Sequence, residues 1–151
     1  GCGGGANVKR LLKLCPQGKV YGMDLSEESV AFARRHNAGE LDRRCFIQQG
    51  DVCSLPYGDG AFDAVTAFET VYFWSSVSKA LAEVFRVIRK GGCFLISLEA
   101  SDPELGKAWT ERIKGMTVYG AEELKQLLSQ AGFSDIRVIQ KKEELHIVAH
   151  K

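Results

Sequence analysis

Gly1-Cys2-Gly3-Gly4-Gly5-Ala6 leads directly into Val8, Leu11, Leu12 and Cys15, and nineteen residues after Gly5 stands Asp24, within Lys19-Val20-Tyr21-Gly22-Met23-Asp24-Leu25. The apolar residues after the glycines recur at i, i+3, i+4 and i+7, the spacing of one helix face. Pro16-Gln17-Gly18 stops that helix. The short, mainly apolar run that follows suits a buried strand. Glycines opening a helix let the backbone turn tightly and approach a ligand, and the helix N-terminus favours an anionic group. The hexapeptide also satisfies G-x-G-x-x-[GA], a motif that carries little on its own. A carboxylate at the end of the next strand can accept two hydrogen bonds from a ribose diol, as in doubly wound folds that bind adenosine cofactors. The plainer readings are a simple glycine-rich turn and, for Asp24, a helper in capping the helix begun at Ser26.

Working outward, Ser26 is a good N-cap, and Glu27 and Glu28 suit the positive end of a helix that runs over about 27–37. Cys45-Phe46-Ile47-Gln48-Gln49 and Phe62-Asp63-Ala64-Val65-Thr66-Ala67-Phe68 read as strands. Val77, Ala80, Leu81, Val84, Phe85 and Ile88 lie on one helical stripe, with Gly91-Gly92 expected to stop it as a left-handed cap. Cys93-Phe94-Leu95-Ile96-Ser97-Leu98 is a continuous apolar strand, and residues 100–120 are the least periodic stretch. Leu124, Leu127, Leu128 and Ala131 make a last helix closed by Gly132. Two strands follow, about 134–141 and 144–150, with a solvated turn at Lys142-Glu143. Alternating strands and helices predict an α/β, doubly wound, mostly parallel Rossmann-like sheet with helices on both faces. The last connection is too short for a parallel crossover, so the chain closes on a C-terminal antiparallel hairpin.

The 151 residues suit one domain, and 45% hydrophobic and 26% charged residues are ordinary for a globular protein. A formal charge of +1 argues against a nucleic-acid partner held on a broad basic surface. There is no 18-residue apolar stretch, so no membrane span is expected. Cys2, Cys15, Cys45, Cys53 and Cys93 form an odd set without a C-x-x-C pair. That pattern fits neither a zinc site nor a disulfide framework, and points to reduced thiols in a cytoplasmic protein. His36, His146 and His150 are too scattered for a metal site or a triad.

Asp51, in Gly50-Asp51-Val52-Cys53-Ser54-Leu55-Pro56-Tyr57, adds a second carboxylate after a strand, one that could accept an adenine amino group. Taken in order, Gly-Cys-Gly-Gly-Gly, Tyr-Gly-Met-Asp-Leu-Ser, Gly-Asp-Val-Cys-Ser-Leu-Pro-Tyr, Phe-Asp-Ala-Val and Arg-Val-Ile-Arg-Lys-Gly-Gly resemble the class I S-adenosylmethionine-dependent methyltransferases. The likeness is to the small-molecule, ubiquinone-biosynthesis type, and it runs over essentially the whole chain. It implies that Gly1, Cys2, Gly3 and Gly5 form the loop beneath the methionine part of the cofactor. It implies Asp24 for the ribose, Leu25 against the adenine, Asp51 and the backbone of Val52 for the adenine amino group, and the Phe68 carbonyl near the cofactor's ammonium group. Lys90 stands where the family often has Pro. The family's first strand, central in the sheet between those bearing Asp24 and Asp63, is missing, so the 151 residues are expected to be one methyltransferase domain that is N-terminally incomplete.

Methyl transfer from a sulfonium is a single displacement that needs alignment more than covalent help. A general base is required only for an acceptor protonated at neutral pH. Glu69, after the fourth strand of the family pattern, is the candidate base, with a structural salt bridge as the competing role. Tyr72 and Trp74, and Trp109 in the irregular stretch, are candidates to face a small-molecule acceptor, against the alternative that they pack the core. Two rival functions stay open. A nicotinamide-dependent oxidoreductase shares the glycine loop and Asp24, but Asp51, the closing hairpin and the absence of Tyr-x-x-x-Lys count against it. A non-catalytic cofactor-binding subunit of the same fold would carry the same residues.

Overall fold

A computed structural model of the chain describes every residue except Leu105 and Glu143. It divides into two compact units, Gly1–Asp51 and Val52–Lys151.

The first unit runs α1 (Ala6–Leu14), β1 (Val20–Asp24), α2 (Glu27–His36) and β2 (Cys45–Gln49). β1 and β2 pair in parallel, Val20 opposite Cys45 and Asp24 opposite Gln49. The Gly50 N–H extends the ladder by donating to the Asp24 carbonyl at 3.0 Å. One face of this ribbon meets both helices, where Val8, Leu12, Val20, Val30, Ala33, Cys45 and Ile47 form a buried cluster. Ser26 caps α2 as its type and place require, its hydroxyl accepting from the Ser29 N–H at 3.2 Å. The far end of α1 is fastened by Arg44, which donates to the carbonyls of Cys15 (3.1 Å) and Pro16 (3.0 Å). No sequence pattern marked that contact. On the other edge of β1, the Cys2 N–H donates to the Met23 carbonyl at 2.7 Å, so the start of the glycine loop lies along the strand.

The second unit contains β3 (Phe62–Phe68), α3 (Val77–Val87), β4 (Ile88–Leu98), α4 (Lys107–Arg112), α5 (Ala121–Gln130), β5 (Ser134–Lys141) and β6 (Glu144–His150). Its strands are ordered β3-β4-β6-β5. β3 and β4 are parallel, and β6 runs antiparallel to both β4 and β5. The expected hairpin therefore closes the chain, with one reversed strand in a sheet otherwise parallel. Its turn begins at Lys142 (φ 56°), and Glu143 lies outside the described residues. Leu81 and Val84 of α3 and Leu124 and Leu128 of α5 pack onto Phe94, Ile96, Leu98, Leu145 and Ile147, all of them fully buried. That contact follows from the helical stripes meeting the alternate residues of the strands.

One boundary differs from the sequence reading. Gly91-Gly92 does not cap a helix: α3 ends at Val87, and Ile88 already pairs with Phe62 as the first residue of β4. The register then shifts, with Ala64 opposite Cys93, so the glycines occupy an irregularity inside the strand. Gly91 has φ 74°, and a Cβ on Gly92 would lie 2.6 Å from the Asp63 carbonyl oxygen. Ile88 fits a helical stripe and a strand equally well, and only pairing decides between them. Two 3-10 turns, Ala38–Glu40 and Val71–Phe73, and the short α4 form where no periodicity announced them. Among the described residues no helix is long and apolar enough to cross a membrane.

Candidate functional site

In the first unit, the glycine loop and Asp24 meet directly. Asp24 ends β1, and its Oδ2 accepts from the Gly3 N–H at 2.8 Å while its Oδ1 accepts from the Ser26 N–H at 3.0 Å. One carboxylate thus ties the loop to the entry of α2. An ionised carboxylate offers about four acceptor sites, so two backbone donors leave room for a diol. Gly5 is the N-cap of α1 at φ 79°, with no side-chain cap. A Cβ there would lie 2.6 Å from Asn37 Nδ2 and 2.9 Å from Ala33 Cβ, so only glycine fits the close approach to α2. At Gly3, by contrast, nothing lies within 4 Å of a Cβ position, and the loop opens onto free space.

Leu25, next to Asp24, is 70% exposed, a large apolar side chain left uncovered. Its carbonyl accepts from Gln49 Nε2 at 2.9 Å. Asp51 is exposed and sits just past β2, so Asp24 and Asp51 follow the carboxyl ends of two adjacent parallel strands. Ligands of open α/β sheets bind at that end. Gly1 and Cys2 complete the loop. Burial pushes the Cys2 thiol above its ordinary value, with Asp24 adding to the rise, so Cys2 is held as a neutral thiol.

In the second unit, Val52 is half-buried and packs against the apolar cluster. Phe68 ends β3 opposite Ser97. Glu69 follows with φ 51°, left-handed backbone that a glutamate seldom adopts, and its N–H donates to the Ser97 carbonyl at 3.0 Å. The carboxylate is exposed, and its Oε2 accepts from the Tyr72 hydroxyl at 3.1 Å. Tyr72 is only 4% exposed. Its hydroxyl oxygen accepts from the Ala100 N–H at 2.9 Å, and its carbonyl accepts from the Thr117 N–H at 2.9 Å. Burial first, with the neighbouring Glu69 carboxylate adding to it, pushes the Tyr72 phenol up to about 12. Tyr72 is therefore a buried donor aimed at Glu69 rather than a ring on the surface. Trp74 stacks on Phe94 with centroids 6.5 Å apart and planes at 14°, which matches the packing alternative. Trp109, on α4, is 49% exposed and keeps a free face. His146 Nδ1 lies 3.1 Å from Ser97 Oγ across two paired strands.

Two features escaped the sequence reading. One is Asn37, whose amide reaches the glycine loop. The other is the donor role of Tyr72, hidden in an aromatic run. Neither residue type at its spacing carries a signal, because each contact depends on how separate elements pack.

Residues 1–96 match the family described as methyltransferase domain, a match that spans both units. The chain belongs to the methyltransferase domain family. Several curated relatives are similar over 60% of the chain or more. A demethylmenaquinone methyltransferase of Symbiobacterium thermophilum is 37% identical over 60% of the chain and 36% of its own length. An O-methyltransferase of Penicillium expansum is 30% identical over 96% of the chain and 54% of its own length. The chain thus spans between about a third and about half of these relatives. Among solved structures, the YcgJ protein of Bacillus subtilis is 26% identical with a TM-score of 0.79, over 93% of this chain and 62% of that one. Phosphoethanolamine N-methyltransferase 2 of Haemonchus contortus, solved with S-adenosyl-L-methionine, has a TM-score of 0.85 at 17% identity, over 100% of this chain and 47% of that one. The latter likeness concerns fold alone: the methyltransferase domain here has the Rossmann-like architecture its sequence predicted.

Proposed function

We propose that this methyltransferase domain binds S-adenosylmethionine and serves methyl transfer to a small-molecule acceptor. The observation that carries the proposal is the joint geometry of the glycine loop and Asp24 in the first unit. The residues fit the cofactor: Gly3 opens on free space, and Asp24 keeps acceptor sites for a diol after tying the loop in place. The loop of Gly1, Cys2, Gly3 and Gly5 would hold the methionine part, Asp24 the ribose, and Leu25 and Asp51 the adenine. Val52 and Phe68 keep the backbone roles that the family likeness implies for them. When bound, S-adenosylmethionine supplies a methyl group on a sulfonium whose sulfur leaves neutral.

What remains for the chain is alignment and, for a protonated acceptor, removal of one proton. Glu69 is the group for that task. Its left-handed backbone costs about 1–3 kcal/mol of strain and sets the side chain directly after the carboxyl end of β3. Its Oε2 is held by the Tyr72 hydroxyl, which fixes the carboxylate while the exposed side chain stays accessible to an acceptor. Trp109 offers an exposed aromatic surface for such a molecule. The near-neutral charge supports an acceptor other than nucleic acid, and an odd set of five cysteines with no C-x-x-C spacing supports the cytoplasm as the compartment.

The test is calorimetric titration of the full-length protein with S-adenosylhomocysteine and, separately, with NADH. Micromolar binding of S-adenosylhomocysteine alone is expected. Binding of NADH instead would replace the cofactor reading with the nicotinamide one. Turnover to S-adenosylhomocysteine with any acceptor then separates an enzyme from a cofactor-binding subunit.

A further inference from the structure

Asn37 follows the last residue of α2 and is 5% exposed, one of few polar side chains buried among the described residues. Its Nδ2 donates to the Gly5 carbonyl at 3.1 Å and to the Ala33 carbonyl at 2.9 Å. Its own N–H also donates to the Ala33 carbonyl, at 3.1 Å. Oδ1 is buried and has no hydrogen-bond partner among the described residues. Both neighbours of the amide nitrogen are acceptors, so the donor end must face them. An unpaired buried acceptor costs about 1–3 kcal/mol, and a side chain there for packing alone would be apolar. The donor end is what the position retains.

The target of that donor is informative. Gly5 is the residue on which the loop becomes α1, and its N–H donates to the Cys2 carbonyl at 3.0 Å. The Gly5 carbonyl also accepts from the Lys9 N–H at 3.0 Å, the first helical bond. In a trans peptide the C=O and the following N–H point in opposite directions. A second donor on the Gly5 carbonyl therefore fixes the plane of the Gly5–Ala6 peptide and so the aim of the Ala6 N–H. That N–H belongs to the first turn of α1, whose amides have no intrahelical acceptor, and α1 has no side-chain cap. Asn37 locks the loop at one end, and Asp24 locks it at the other through Gly3.

We infer that Asn37 is a positioning residue for the cofactor loop: its buried amide sets the Gly5–Ala6 peptide so that the N-terminal amides of α1 are presorted for an anionic group of the ligand. The inference rests on the S-adenosylmethionine reading proposed above. The role is to preorganise the loop, so losing it weakens binding beyond any general loss of stability.

The experiment compares three variants of the full-length protein by calorimetric titration with S-adenosylhomocysteine, at a temperature where thermal melts show each to be folded. Asn37→Ala is expected to weaken binding about tenfold, the worth of roughly one hydrogen bond. Val30→Ala, which trims the core beneath the same helix without touching Gly5, is expected to lower the melting temperature and leave affinity within about twofold. Asn37→Ser, whose hydroxyl can still donate once, is expected to fall between Asn37→Ala and the parent, and it is the variant to use if Asn37→Ala does not fold. Unchanged affinity in the Asn37 variants, or an equal loss in Val30→Ala, would overturn the positioning role. A parent that does not bind S-adenosylhomocysteine overturns the cofactor reading itself, and the inference goes with it.

Discussion

Asp24 ties the glycine loop to the entry of α2 and is proposed to hold the ribose as well, and the two together predict a compound effect. Its carboxylate holds the Gly3 and Ser26 amides at 2.8 and 3.0 Å, and its remaining acceptor sites suit a ribose. Asp24→Ala should weaken S-adenosylhomocysteine binding by about 1.5–3 kcal/mol, the value of hydrogen bonds to a charged group. A titration in which the variant binds as tightly as the parent would remove Asp24 from the site. Tyr72 makes a prediction in pH. Its phenol is pushed up to about 12, against 10 for the ordinary group, because burial penalises the phenolate and Glu69 repels it. The folded protein therefore binds more protons than the unfolded chain between these values. The stabilisation is fully present below pH 10 and is lost as pH rises toward 12. Tyr72→Phe should flatten that alkaline decline in denaturant melts. It should not abolish it, because burial raises the Tyr119 phenol as well. Asp24 was legible from its distance to the glycines. Tyr72 stayed open between acceptor and core, since a ring in Thr70-Val71-Tyr72-Phe73-Trp74 looks the same whether it meets solvent or a carboxylate.

At the level of elements, α3 does more than cover the sheet. Arg86 donates through its three nitrogens to Glu83 (2.8 Å), to Asp59 (2.9 Å) and to the carbonyls of Tyr57 (2.7 Å) and Leu55 (3.0 Å). Glu83 Oε2 in turn accepts from the Leu55 N–H at 2.8 Å. One turn of helix thereby clasps the loop that follows Val52. Arg86→Ala should lower the midpoint of chemical denaturation, as two carbonyls and two carboxylates lose their donor. The guanidinium also pulls the Glu83 carboxyl down to about 2 from an ordinary 4.5. Its stabilisation is present above pH 4.5 and fades as pH falls toward 2, so Glu83→Gln should blunt that acid loss. The arginine and the glutamate lie in sequence three residues apart, but nothing local says that their common target, Leu55, is 28 residues upstream of one and 31 of the other. Strand and helix bodies were legible because each writes its own period, and the hairpin because a two-residue link admits only one pairing. The start of β4 was not, because Ile88 and Gly91-Gly92 satisfy a helix stop as well as a strand irregularity, and the choice rests on pairing with Phe62.

Across the molecule, the two units carry cores of different size. Among the described residues the first unit has 7 buried apolar residues in its cluster and the second has 17. Apolar burial scales with local opening free energy, so amides of β1 and β2 should exchange with solvent sooner than those of β4 and β6. The residues proposed to touch S-adenosylmethionine most directly, the glycine loop, Asp24, Leu25 and Asp51, all lie in the less buried unit. Binding to the folded form adds stability in proportion to the logarithm of ligand over Kd, about 2.7 kcal/mol at a hundredfold excess. Hydrogen exchange with and without saturating S-adenosylhomocysteine should then show the largest added protection over the loop, α1 and β1. The hairpin of β5 and β6 should change least, because its pairing owes nothing to the loop or to Asp24. Protection confined to β4 and β6, with the loop unchanged, would place the ligand away from the glycines and sink the assignment of the site. The whole-chain likeness to methyltransferases was readable because its five motifs sit at fixed chain distances. The loop's rigidity was not, since Asn37 acts on Gly5 across 32 residues and only the packed helix brings them together.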